Sequence, residues 1–174
     1  MVMDLSAEAP NKAAKVAEGF WLVASRHHPG GSSNFPEINN RAAVFQVNGE
    51  SGPELVVFNA IDPACIDAVK GIEAETGTKV RAVVSPGGGH HLLMRHWYDA
   101  FEEAECLLCP VRAPNTANGK ELMKLERMGT LDLDAPLAKY TGQLEVVELI
   151  GSPSGFAEVS FASTSPASVS ARPS

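Results

Sequence analysis

The sequence predicts an α/β domain built on a mixed sheet with flanking helices. Apolar runs of strand length recur along the chain, among them residues 54–59 (ELVVFN) and 79–84 (KVRAVV). Between those two, Cys65, Val69 and Ile72 recur at helical spacing, so strand, helix and strand follow one another as in a parallel βαβ unit. Upstream, Asn48-Gly49 separates two further strand-like runs and marks a hairpin, which adds antiparallel pairing to the parallel one.

Taken in order, residues 1–18 read as an Ala-rich, loose lead-in to a domain spanning 19–159. Residues 20–23 (FWLV) form a short strand, and 26–40 (RHHPGGSSNFPEINN) are dense enough in Pro, Gly, Ser and Asn to read as an irregular loop. Residues 41–47 (RAAVFQV) and 54–59 are the hairpin strands. Asp62-Pro63 then supplies an N-cap and a first-turn proline, and Gly77 stands where the helix ends. After the strand at 79–84, Leu93, Trp97, Phe101 and Ala104 give one apolar helix face, with Arg95, Asp99 and Glu102 opposite. Residues 105–109 (ECLLC) form the next strand, ended by Pro110, so a second βαβ step follows the first. A short amphipathic helix is expected through 121–128, a loop through 132–141 and a strand at 144–150. The tail at 160–174 is almost wholly Ser, Ala, Pro and Thr and is expected to be disordered, since it offers too little apolar surface to offset ordering.

At 174 residues the chain is long enough to bury a core without disulfides or metals. A net charge of −7, with no basic run, disfavours nucleic acid or an anionic membrane and leaves a small molecule or a protein as the expected partner. The first residues lack the basic and apolar regions of a secretory signal, and no run approaches the roughly 18 apolar residues that span a bilayer. Three cysteines, Cys65, Cys106 and Cys109, suit reduced thiols, and the expected compartment is the cytoplasm.

The chemistry concentrates in SPGGGHHLLMRHW, residues 85–97, between a strand and a helix. One reading is an anion site in which Gly87, Gly88 and Gly89 present N–H groups at a helix start, although neither a Gly-Lys-Ser/Thr nor a Gly-x-Gly-x-x-Gly pattern is present. Another is a metal site. His90 and His91 converge on one ion only if they precede the first helical turn, and His27 and His28, on the earlier loop, are candidates to complete the shell. His96 points away from both. Cys106 and Cys109 lie three apart on a strand, which sends them to opposite faces and favours buried thiols over a chelate.

Hairpin, LVVFNAID, helix, VRAVVSPGGGHH, helix and AECLLCP together resemble the N-terminal half of a metallo-β-lactamase-fold protein, over residues 19–110 and more weakly through LEVVELIGSPSGFAEVSF. The resemblance implies about half of a four-layer αββα fold, whose sheet would keep an apolar inner face for a second copy or a complementing chain. In that family the loop after this strand reads His-x-His-x-Asp-His and holds one or two metal ions, zinc or another divalent cation, that activate water. Laid on this chain, those four positions are Pro86, Gly88, His90 and His91, so only the last matches. No histidine follows His96 and no aspartate follows Asp134, so the family's later ligands have no counterpart. The resemblance therefore implies a degenerate site with a binding or scaffold role and no confident cofactor. The rival expectation is a metal-dependent hydrolase of an ester, lactone or thioester, with His91 as ligand and His90 as ligand or proton carrier.

Overall fold

The computed structural model describes residues 11–27, 38–59, 62–87, 91–110, 113–132, 137–140, 142–149 and 158–163. Seven strands form one sheet in which spatial order follows chain order: β1 (Ala13–Ala17), β2 (Phe20–His27), β3 (Ile38–Gly49), β4 (Gly52–Phe58), β5 (Val80–Ser85), β6 (Glu105–Leu108) and β7 (Met128–Thr130). The first four run antiparallel and the last four parallel. The parallel steps are bridged by α1 (Ile66–Thr76), α2 (Met94–Ala100) and α3 (Ala117–Leu122). A separate antiparallel pair, β8 (Leu144–Leu149) with β9 (Glu158–Ser163), follows.

The expected hairpin closes with Gly49 opposite Gly52. The first helix is entered as its cap predicts: the Asp62 carboxylate accepts from Ala64 N at 2.9 Å, Pro63 starts a 3-10 turn, and Gly77 ends α1 at φ +66°. β5 pairs parallel with both β4 and β6, as the two βαβ steps require.

Four expectations change. Within the lead-in, residues 13–17 form β1, an edge strand with no buried side chain; pairing with β2 creates it, so the sequence shows no apolar alternation there. The loop at 26–40 is shorter than expected, because the β2–β3 ladder runs on to His27 opposite Ile38 despite the weak strand propensity of Asn39 and Asn40. The helix placed at 121–128 lies upstream: the Thr116 hydroxyl caps α3 by accepting from Gly119 N at 2.9 Å, and Met128 instead pairs with Cys106 in β7, making a third parallel step. In the tail, residues 160–163 belong to β9. Residues 164–174 lie outside the described part, as do 1–10.

The sheet carries a core on each face. On one, Trp21, Val44, Leu55, Val57, Val83 and Cys106 pack against Val69 and Ile72 of α1 and Met94 and Trp97 of α2. On the other, Phe45, Val47, Val56, Ala82 and Val84 are covered by Leu131, Leu137, Tyr140 and Leu144. The chain thus lays its own segment across part of the face whose exposure was expected, while Phe20, Ala43, Phe58 and Leu107 at its margins stay half-buried. Polar contacts fasten the segment. The Tyr140 hydroxyl, whose pKa is raised by burial and by Glu54, donates to Glu54 Oε2 at 2.5 Å, and Lys139 pairs with Glu105 at 2.6 Å. Among the described residues, no helix is long and apolar enough to cross a membrane.

All three cysteines are free and buried. Burial, reinforced by Asp62, pushes the Cys65 thiol up to about 11; burial, reinforced by Glu105 and opposed by Arg127, pushes Cys106 up to about 12. Both should resist alkylation at pH 8 in the native protein and react only on unfolding. Because these acids hold their protons more tightly when folded, their contribution to stability is complete below the ordinary value of 9.0 and is lost as pH rises through 11 to 12. Urea midpoints measured from pH 8 to 11 should therefore fall once pH passes about 9.

Candidate functional site

The loops after β4, β5 and β6 meet at the carboxyl edge of the parallel strands, the edge where open α/β sheets bind ligands. Each loop is held by polar contacts. Asn59, just past β4, adopts φ +76°, a conformation that asparagine tolerates better than most side chains. Its backbone N–H donates to Val84 O at 2.8 Å, and its side-chain amide donates to Asn40 Oδ1 at 2.9 Å and Arg41 O at 2.8 Å. This ties the end of β4 to both β5 and β3.

The second loop starts at Ser85, which is buried; its hydroxyl donates to Gly87 O at 3.4 Å, and its carbonyl accepts from Cys109 N at 3.1 Å. Pro86 and Gly87 are also buried. The chain is next described at His91, which is 2% exposed. Its carbonyl accepts from Met94 N at 3.1 Å, opening the turn into α2, and from the Asn118 amide at 3.4 Å. Its Nε2 lies 2.8 Å from Thr116 Oγ1 at the start of α3.

Of the candidate residues, His91 and Gly87 are therefore placed at this edge. His27 ends β2, paired with Ile38, and its side chain lies outside the described part, as do His28, Gly88, Gly89 and His90 altogether. His96 is exposed on α2. Cys106 lies in the helix-side core, and Cys109 is buried just beyond β6. The sequence reading missed Thr116, Asn59 and Asn40. Thr116 had a signal, a good cap residue three before Gly119, whereas nothing local ties Asn59 to Asn40.

For a metal the described donors fit poorly. Pro86 offers no side-chain ligand, His91 has its Nε2 against a hydroxyl, and among the described residues no three His, Cys, Asp or Glu side chains cluster closely enough to hold an ion.

The sheet order and the loops at its carboxyl edge define an α/β protein with the metallo-β-lactamase fold, of which the chain presents a part. Its structure is similar to a metallo-β-lactamase from Hirschia baltica, with TM-score 0.55 and 11% identity over 80% of this chain and 60% of that one. It is similar to a β-lactamase domain protein from Burkholderia ambifaria, with TM-score 0.56 and 12% identity over 92% of this chain and 54% of that one. A metallo-β-lactamase from Erythrobacter litoralis gives TM-score 0.55 and 15% identity over 77% of this chain and 58% of that one. The chain thus spans little more than half the length of these structures, and at such identities the likeness is one of fold. No protein-family model and no curated protein matches the sequence.

Proposed function

We propose that this chain is a metallo-β-lactamase-like protein with a degenerate metal site, whose role is binding or scaffolding and not hydrolysis. The observation that carries this reading is the loop after β5. Where the fold's metal-binding pattern calls for imidazoles and a carboxylate, the chain has Pro86, Gly88 and His90 before the one match, His91. Proline and glycine contribute no side-chain donor, and a histidine in the carboxylate's place removes negative charge that would offset a divalent cation. The buried setting of Pro86 and Gly87 supports the reading, since it makes that part of the loop a packed turn. The expected partner is a protein or a small molecule received at the carboxyl edge, with a second copy or a complementing chain over the half-buried margin of Phe20, Ala43, Phe58 and Leu107.

The test combines metal content with activity on protein prepared without a histidine tag. After dialysis against zinc or manganese, the full chain should retain well under one ion per molecule and hydrolyse no member of an ester, lactone and thioester panel above background. Near-stoichiometric metal, with turnover abolished in His91→Ala, would establish the hydrolase instead.

A further inference from the structure

We infer that His91 and Thr116 form a metal-independent clasp, in which the imidazole Nε2–H is committed as a donor and joins the loop after β5 to the start of α3. The direction of the bond follows from counting protons. Thr116 Oγ1 lies 2.9 Å from Ala113 O, and two oxygens at that distance need a proton between them. The hydroxyl has one, so it donates to Ala113. The same oxygen accepts from Gly119 N at 2.9 Å. Toward His91 at 2.8 Å it has only acceptor capacity left, and Nε2 must carry the hydrogen. His91 is 2% exposed, and it is held through its ring by Thr116 and through its carbonyl by Asn118. A cation reaching Nε2 would have to expel that proton, turn the ring from Thr116 and remove one of the hydroxyl's two donors. Two loops that a bridging ion could have joined are instead joined by protein hydrogen bonds.

This deepens the degenerate-site reading and rests on it only for its setting. The test is imidazole nitrogen NMR on the full, 15N-labelled wild-type chain at pH 7.5, before and after one equivalent of zinc chloride, with a double-mutant cycle of Thr116→Val and His91→Phe read by urea unfolding. The expected spectrum shows His91 Nε2 protonated and unmoved by zinc. Thr116→Val should lower the folding equilibrium constant roughly tenfold more in the wild-type background than in His91→Phe, which separates the clasp from the capping bond to Gly119, common to both. Thr116→Ser should keep the Nε2 signal. A deprotonated Nε2 that shifts with zinc would overturn both the clasp and the degenerate site. A deprotonated Nε2 indifferent to zinc, or an absent coupling, would overturn the clasp alone. Should a variant fail to fold, the wild-type spectrum still decides.

Discussion

Replacing Gly119 by alanine is expected to cost about 3 kcal/mol or more, one of the largest losses available to a single methyl group in this protein. A Cβ at Gly119 would be driven into the carbonyl oxygen of Ala113, with the carbonyl carbon 2.7 Å away and Thr116 Oγ1 at 3.0 Å. Backbone, not the end of a flexible side chain, is what must yield. Ala113 is buried, and its carbonyl is the acceptor for the Thr116 hydroxyl, so any shift that admits the methyl also moves the residue that caps α3 and faces His91. The control is Gly71→Ala in the middle of α1, where nothing lies within 4 Å and the position is exposed. There the same methyl should stabilise by about 0.5–1 kcal/mol, because only the helix propensity changes. Urea unfolding of the pair should move the midpoint in opposite directions.

Arg127→Met is expected to cost about 2–4 kcal/mol. The Arg127 guanidinium donates to Tyr98 O at 2.8 Å, Phe101 O at 2.9 Å and Ala104 O at 2.6 Å, and it stacks on the Tyr98 ring at 3.8 Å. These carbonyls belong to the last turn of α2 and to the return into β6, where helix geometry supplies no partners of its own. The positive charge also sits at the negative end of the helix. Methionine keeps much of the stem's packing but removes all three guanidinium bonds, leaving Phe101 O only its contact with Ala104 N at 3.1 Å. Arg127→Lys should recover only a minor part, since one ammonium cannot reproduce the fork that spans three carbonyls. Hydrogen exchange should quicken first in α2 and β6, because the Arg127 carbonyl accepts from Cys106 N at 2.8 Å and the same residue holds both elements.

The part of the fold legible in the sequence is the part with punctuation. Asp62-Pro63, Gly77 and Pro110 bound elements whose apolar spacing is unmixed, and α1, β5 and β6 lie where those signals put them. The strands that escaped notice are made by their neighbours. β1 has no buried residue, β7 is three residues long, and Leu122 and Met128, which suggested one helix, reach the same core from a helix and a strand. Most of β9, residues 160–163, lies in a stretch whose composition suggested disorder, but the strand is paired along its whole length with β8. The same distinction governs the site. His91 stood out because a glycine run and paired histidines follow a strand, whereas Thr116 comes 25 residues later and joins it through tertiary structure alone. The metal reading came first from the clustered histidines and took its ligand pattern from the fold resemblance, and it was the identity of individual residues, Pro86 above all, that argued against carrying that pattern over.

The most direct measurement is the number of metal ions retained per chain, by elemental analysis of untagged protein equilibrated with zinc and then dialysed. A loop with Pro86 and Gly88 in the ligand positions predicts a value far below one, with a thermal midpoint that chelator leaves unchanged. One tightly held ion per chain, with a midpoint that drops on chelation and is restored by zinc, would contradict it.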